Sequence, residues 1–339
     1  MKQGRRFLLL ALAVAGISLI SLCLGKYNLG LGETVSFLLR TCLGLTSPDL
    51  IRRELLDNIL LQIRLPRVLA ALLIGGALST VGAALQAVFT NPLASPKTTG
   101  MLAGASFGTV LGVLLSNQWI VSQALALVFG FCAVGLAVLI ARMARSESIL
   151  MLVLGGIASD ALFMALSMTG QYLADPYTKL PAIVHWLMGN LAMVQRSTVL
   201  FAAIPMVIGT GLLCLLGRQL NALSMGEDEA RALGVPVRLV RLSVLFISTL
   251  LTSLTVLLGG GSMAGWVGLI VPHVARLLIG PNNVTLLPAS ALLGAGYMVV
   301  MDDISRLTFS FELPIGIITS LVGIPFFICV LKDARKGWA

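Results

Sequence analysis

Charged side chains are scarce in this sequence. Asp, Glu, Lys and Arg make up 11% of its 339 residues, whereas about 25% is usual for a soluble domain. Stretches without any of these four residues recur along the whole chain, and each is close to the ~20 residues that a helix needs to cross a bilayer. This shortage of charge argues against a soluble domain and predicts an all-α polytopic membrane protein, with one transmembrane domain over residues 1–339.

Reactive motifs are missing as well. The sequence has no HExxH or CxxC pattern, and its five cysteines and two histidines are scattered. It also has no GxxxxGK[ST] nucleotide loop, because the one Gly-Lys pair, Gly25-Lys26, is followed by Tyr27. We therefore predict no catalytic residue and no metal site, and we expect any ATP hydrolysis that the protein depends on to occur in another chain.

Charge-free windows predict about ten membrane-spanning helices. Two long windows are divided by polar or glycine-rich breaks, at Ser116-Asn117-Gln118 and Gly259-Gly260-Gly261. We read the first window as a retained helix, because no convincing small-residue cleavage site follows it. The predicted spans are 7–25, 65–90, 98–115, 119–141, 148–172, 198–217, 240–259, 264–280, 284–302 and 313–331.

The distribution of Lys and Arg predicts the orientation. An even number of spans puts both termini on one side, and the segments on that side carry the larger number of basic residues, which marks the cytoplasm. The predicted extracytoplasmic loop 26–64 is an anomaly, because Arg52, Arg53, Arg64 and Arg67 lie in it or just after it. Either a long loop follows the positive-inside rule weakly, or this face meets an acidic partner. The net charge of +9 is assigned to topology and not to nucleic-acid binding.

One predicted cytoplasmic loop, 218–238, contains its own helix signals. Ser224 and Glu227 have the spacing of a capping box, and acidic residues fill the first turn. Gly234 stands where a left-handed C-terminal cap belongs, and Pro236 prevents continuation. The pattern predicts a helix of about nine residues.

A helix this short is marginal in water unless it packs against something. In one interpretation it rests on its own membrane domain. In the other it docks a cytoplasmic protein through Met225, Ala230 and Leu233, while its acidic residues and Arg231 face water.

Two further features concern the path through the membrane. Two prolines restrict the loop Asn91-Pro92-Leu93-Ala94-Ser95-Pro96. Asp160 is a carboxylate well inside a predicted span, where an ionised group is costly and usually faces a cavity or a partner. Gly155-Gly156 before it permits close helix packing. Asp160 is therefore a candidate for lining the path, with a buried structural hydrogen bond as the alternative.

Five segments in register resemble the FecCD-type permeases of bacterial ABC importers for iron-siderophores, haem and cobalamin. The resemblance covers residues from about 60 to the C-terminus. The segments are RLPRVLAALLIGGALSTVGAALQAVFTNPLASP (64–96), HWLMGNL (185–191), LNALSMGEDEARALGVPV (220–237), GWVGLIVPHVARLLIGP (265–281) and ELPIGIITSLVGIPFF (312–327).

The resemblance implies a type II ABC importer permease fold of ten helices, working as a homodimer in the lipid of the bacterial inner membrane. It implies two cytoplasmic ABC ATPase subunits that use ATP and Mg²⁺, an extracytoplasmic substrate-binding protein, and no cofactor in this chain. The ligand it implies is an iron-siderophore or related metal chelate. Molybdate or another oxyanion, haem and cobalamin stay open, and an ion-coupled secondary transporter is the rival from another class.

Roles for individual residues follow only from this resemblance. It implies that ATPase coupling is carried by Ser224, Met225, Gly226, Glu227, Ala230, Leu233 and Gly234. It implies that the cytoplasmic gate is formed by Asn91, Pro92 and Leu93. It implies that the binding protein docks on Arg64, Arg67 and Arg306. Two of the departures from the family pattern are acidic residues. Asp303 adds an acid close to a docking arginine, and Asp160 stands where a small or apolar residue is commoner.

Overall fold

The computed structural model describes residues 2–43, 50–116, 118–143, 149–192, 194–260, 264–309 and 311–337, so the predicted break residues Asn117 and Gly261 lie outside the described residues. Regular secondary structure in these ranges is helical. The helices are α1 (Lys2–Cys23), α2 (Leu31–Cys42), α3 (Leu50–Leu56), α4 (Leu65–Val88), α5 (Met101–Leu115), α6 (Trp119–Met143), α7 (Ile149–Leu173), α8 (Lys179–Met188), α9 (Arg196–Leu215), α10 (Gly217–Leu223), α11 (Glu227–Ala232), α12 (Val237–Gly259), α13 (Ala264–Ile279), α14 (Asn283–Leu307) and α15 (Ile315–Gly337).

Seven described helices are long and apolar enough to cross a membrane. They are α1, the continuous helix Ile51–Val88, α6, α7, α9, α12 and α14. Shorter apolar helices at Met101–Leu115, Trp266–Ile279 and Ile315–Ile328 coincide with the remaining predicted spans. The prediction of an all-helical, multi-pass protein is confirmed, and the total of about ten crossings stays a prediction.

The predicted outer loop 26–64 is largely helical. It contains α2 and α3, and a π-helical segment, Asp57–Arg64, joins α3 to α4 without a break. Pro66 lies in this continuous helix directly after the π-helical segment, so the irregular turns precede the residue that lacks an N–H donor. The predicted span begins at residue 65, the first residue of α4, and the helix continues ahead of it through a charged region that includes Arg53 and Asp57.

Helix α4 lies at the centre of the bundle. In its most apolar window 83% of the residues are buried, against 17% for α1. Glycines allow neighbouring backbones to approach it closely. A Cβ on Gly75 would lie 2.0 Å from the carbonyl oxygen of Gly294 in α14, and one on Gly82 would lie 1.9 Å from that of Gly268 in α13. Close packing of small residues is a usual way for helices to associate inside a membrane.

Hydrogen bonds between helices identify the two ends of the bundle. The end at which α1 begins, here called the inner end, has Arg6 donating to the carbonyl of Leu278 at 3.0 Å. At the outer end, the backbone N–H of Leu313, just before α15, donates to Ser305 O at 3.2 Å. Helix α15 therefore runs back toward the inner end, and both terminal helices have their free ends there. The side of the membrane that this end faces stays a prediction.

Candidate functional site

The segment 217–237 at the inner end folds differently from its sequence-based prediction. Helix α11 spans Glu227–Ala232, six residues and not about nine, and its N-cap is Gly226 at φ 131°. Ser224 does not cap it, because its hydroxyl donates to Leu220 O at 2.8 Å, within the preceding helix. The predicted stop is confirmed, since Gly234 has φ +78°, a conformation that favours glycine.

The exposed surface of this segment is smaller than predicted. Ala230 is fully buried in the main core and is not available to a partner, which corrects the sequence-based interpretation. Met225 and Leu233 are 68% and 65% exposed. Glu227 does not simply face water, because it forms an ion pair with Arg241 of α12. The segment therefore presents two apolar side chains at the two ends of a short helix that is fixed to the bundle.

Further hydrogen bonds hold this segment against α14. The side chain of Asn221 in α10 accepts from the backbone N–H of Asn283 at 2.8 Å, and it donates to Asn282 Oδ1 at 2.8 Å. Displacement of α10 and α11 would therefore act directly on the first turn of α14.

The loop between α4 and α5 is fixed by its own side chains. Asn91 Oδ1 accepts from the N–H of Leu93 at 2.9 Å, and Thr98 Oγ1 accepts from the N–H of Ser95 at 3.0 Å. Pro92 and Leu93 are exposed, with Leu93 at 48%. The predicted gate residues thus lie on an ordered loop at the inner end, and their role as a gate stays a prediction.

This loop packs directly on α7. A Cβ on Gly156 would lie 2.4 Å from the carbonyl oxygen of Thr98, and one on Gly155 would lie 2.4 Å from that of Ala137 in α6. The close packing predicted for the Gly155-Gly156 pair is confirmed. Movement of α7 would therefore be felt at the loop that carries Leu93.

A cavity in the bundle extends from this loop to Asp160. Its volume is ≈ 540 Å³, and its wall includes Leu93, Lys97, Asp160, Gln171 and Trp266. The structure therefore brings together one predicted gate residue and the carboxylate predicted to line the path. Leu93 and Lys97 lie at its inner end, while Gln171 lies near the outer end of α7.

The three arginines predicted to dock a binding protein are buried. Arg64, Arg67 and Arg306 are 5%, 6% and 8% exposed. Arg67 Nε lies 2.9 Å from both carboxylate oxygens of Asp302, and its Nη1 lies 3.0 Å from Glu312. Their docking role stays a prediction, and the structure gives them partners inside the chain.

Two of these arginines hold the outer end of α1. Arg64 donates to the carbonyl of Leu22 at 2.7 Å, and Arg306 donates to that of Ser21 at 2.6 Å. The last carbonyls of a helix have no partner within the helix, so these guanidinium groups satisfy them. Asp303, the departure noted in the sequence, forms an ion pair with Arg306.

Sequence reasoning missed a second polar cavity at the outer end. Its volume is ≈ 400 Å³, and its wall includes Thr109, Gln123, His185 and Asn190. His185 Nε2 lies 3.3 Å from the Asn190 side-chain nitrogen. Polar residues within charge-free spans, such as Gln123, were the available signal, but only the fold brings them to one place.

Three features are those of a membrane transporter subunit. They are the apolar helices packed round α4, a cavity that reaches from one end toward the other, and an exposed apolar pair at the inner end. The sequence matches the FecCD transport family over residues 10–333. This match covers nearly the whole chain, and the chain therefore belongs to the FecCD transport family as a multi-pass permease of the ABC importer class.

Named relatives differ in what they carry. The chain is 36% identical to the molybdate import system permease protein MolB of Haemophilus influenzae, over 97% of this chain and 95% of that protein. It is 35% identical to a probable iron chelatin transport system permease protein of Helicobacter pylori, over 96% and 98%. It is 36% identical to the vitamin B12 import system permease protein BtuC of Salmonella typhi, over 98% and 97%.

A solved structure has the same fold. A transporter assigned to the metal-chelate type of ABC transporters, in an inward-facing conformation, superposes with a TM-score of 0.85 at 34% identity, and the match covers 97% of this chain and 99% of that one. The resemblance drawn from the five sequence segments is thus confirmed at the level of family and fold.

Proposed function

We propose that this chain is the membrane-spanning subunit of an ATP-binding-cassette importer for a ferric siderophore or a related metal chelate, in a bacterial inner membrane. The family supports an importer of this class. The names of the relatives support several ligands, so molybdate or another oxyanion, haem and cobalamin are the alternatives.

The assembly that we propose is a homodimer with a central path. Two cytoplasmic ABC ATPase subunits use ATP and Mg²⁺, and an extracytoplasmic binding protein delivers the ligand. The carrying observation is the exposed pair Met225 and Leu233, which lie just before and just after the fixed helix α11. Apolar side chains that project from a rigid element are suited to fill a pocket on a partner, where a few such anchors supply most of the binding energy.

Contacts of α11 supply a route for motion. When the ATPase subunits close on ATP, they would move α11 as a unit, because its end is fixed by Gly234 and its side chains are tied to the bundle. The ion pair between Glu227 and Arg241 would transmit that motion to α12, and the contact of Asn221 with Asn283 would transmit it to α14.

The proposed inner gate consists of Asn91, Pro92 and Leu93. The exposed Leu93 lies on the wall of the cavity, and its loop contacts α7 at Gly156. A shift of α7 relative to α4 would therefore move Leu93 across the inner mouth. Nucleotide and ligand can drive such a shift only by contacting the two packings differently.

Replacing Leu233 with Asp tests the proposed coupling. An ionised carboxylate would be buried in the ATPase pocket, so we expect co-purification of the ATPase to fall at least about tenfold. The control is Leu31→Asp, which adds the same charge to an exposed leucine at the outer end. Full recovery of the ATPase with the Leu233 variant, with the membrane domain folded, would contradict the coupling role.

An ion-coupled secondary transporter is the alternative of another class. Such a protein is expected to use ionisable residues and broken helices near the midplane. Uptake into membrane vesicles distinguishes the two. We expect vanadate to stop uptake, whereas uptake that survives vanadate and collapses with an uncoupler would favour the alternative.

A further inference from the structure

The cavity beside Asp160 has the size of a ligand site. Its volume of ≈ 540 Å³ lies within the roughly 300–1,000 Å³ that is usual for pockets holding drug-sized ligands. Its wall mixes hydroxyl and amide groups, such as Ser167 and Gln171, with the apolar side chains of Met164 and Trp266. A small oxyanion would fill little of this space.

One face of helix α7 lines this cavity. Asp160, Met164, Met168 and Gln171 all line it, and their spacings of four, four and three residues put them on one face of a helix. The other side of α7 is closed by packing, since Ser159 donates to the carbonyl of Ala133 in α6 at 2.8 Å. The direction of the Asp160 side chain is therefore fixed by the packing of its helix.

Charge on the cavity wall is divided between two residues. Asp160 lies near the middle of α7 and is half-buried, and within the described ranges no hydrogen bond or ion pair satisfies its carboxylate. Lys97 acts on it electrostatically, but Lys97 is an exposed residue at the inner mouth. A half-buried carboxylate without a close partner attracts cations and repels anions, and this effect is strong where water is scarce.

We infer that this cavity is a binding station for the transported ligand and that Asp160 selects ligands carrying positive charge, such as a metal chelate with a free ammonium group, over oxyanions. This inference rests on the proposed function, because it takes the ligand to be the cargo of the importer. Within that function it favours a cationic or neutral chelate and disfavours molybdate.

Charged thiol reagents test the sign of the cavity without knowledge of the ligand. The five native cysteines are replaced, and Met164→Cys is introduced one helical turn from Asp160. The full-length permease in lipid nanodiscs is treated with a cationic methanethiosulfonate bearing a trimethylammonium group and, separately, with an anionic one bearing a sulfonate. The rate for each reagent is divided by the rate at which the same reagent reacts with a small thiol in solution. This division corrects for the intrinsic reactivity of the reagent. A parallel series uses Met168→Cys, so that one poorly folded variant does not decide the result.

We expect the corrected cationic rate to exceed the anionic rate by about tenfold. Adding Asp160→Asn should bring the ratio close to one, and Asp160→Glu should keep it. The matched control is Asp175→Asn, because Asp175 is an exposed carboxylate just beyond the same helix and does not line the cavity. A ratio that Asp160→Asn leaves unchanged would overturn the inference.

Two other outcomes would also overturn it. If neither reagent modifies either cysteine in folded protein, the cavity is closed to aqueous solutes. If the anionic reagent reacts faster and Lys97→Gln removes that preference, the site favours anions. The experiment contains no nucleotide, ATPase or binding protein, so its result is independent of the Leu233→Asp test. A cation preference combined with full ATPase recovery in that test would contradict the coupling role alone, and a cation preference combined with vanadate-resistant uptake would reject the proposed function alone.

Discussion

Arg67 is a basic residue whose role depends on its partners. Its guanidinium group lies between Asp302, which is 1% exposed, and Glu312. Removing one member of a buried ion pair leaves the other charge without compensation, which costs far more than losing an exposed pair. Arg52 and Glu33, whose side chains are 39% and 34% exposed, form such an exposed pair.

Alanine substitution at these two arginines should therefore have unequal effects. We expect Arg67→Ala to lower the free energy of unfolding by about 3–5 kcal/mol, and Arg52→Ala to lower it much less, because an exposed ion pair contributes little. Denaturant titration of the purified protein in mixed micelles, followed by circular dichroism, measures both. Equal losses would show that the Arg67 cluster adds no more than a surface pair.

Helix crossings in this protein depend on backbone approach more than on large side chains. Gly82 of α4 faces Gly268 of α13, and Gly75 faces Gly294 of α14. Lipid tails are as apolar as the helix surfaces, so the hydrophobic effect does not drive helices together within a bilayer. Close packing must therefore supply much of the association energy. The position of a glycine in its helix therefore decides its importance.

Two glycine-to-alanine changes separate packing from helix propensity. A Cβ on Gly82 would lie 1.9 Å from a backbone oxygen, so the helices must separate, and we expect Gly82→Ala to destabilise the protein by about 1–3 kcal/mol. Gly135 in α6 has nothing within 4 Å of its added Cβ. Gly135→Ala should be neutral or stabilise by up to about 1 kcal/mol. Thermal unfolding in detergent compares the two, and similar melting temperatures would contradict this account of the crossing.

Several elements were predictable because their signals are local. The apolar spans, the stop at Gly234 and the close packing at Gly155-Gly156 depend on residues that are neighbours in sequence. The start of α11 was predicted wrongly, because the Ser224 hydroxyl has an equally near acceptor in the preceding helix. The burial of Ala230 was also missed, since six residues of helix do not reveal which side meets the bundle.

At the scale of the whole molecule, the outer end carries two kinds of arginine. Arg64, Arg67 and Arg306 are buried, whereas Arg40 and Arg53 are exposed. Long-range attraction between proteins depends on charge that reaches solvent. If an acidic binding protein docks at this end, the exposed arginines should steer its approach.

Charge reversal tests this steering. We expect Arg40→Glu combined with Arg53→Glu to slow association of the cognate binding protein by about tenfold at low ionic strength, with a smaller difference at high salt. Arg238→Glu, at an exposed position on the inner end, serves as the control. Surface plasmon resonance with the permease in nanodiscs measures the rates. If association is unchanged in the double variant but is lost in a folded Arg306→Gln variant, docking depends on the buried arginines and not on the exposed ones.

The sequence by itself determined the class of this protein. Charge and unpaired backbone groups are costly in hydrocarbon, so each span of about 20 residues must be apolar and helical by itself. Composition alone therefore identifies the apolar helices. The family motifs are likewise short and contiguous. The tertiary structure decided the partner of Arg67, which is 235 residues away in sequence, and the face of α7 that lines the cavity. Those features depend on contacts between distant segments, and only the packing of the helices around α4 brings the segments together.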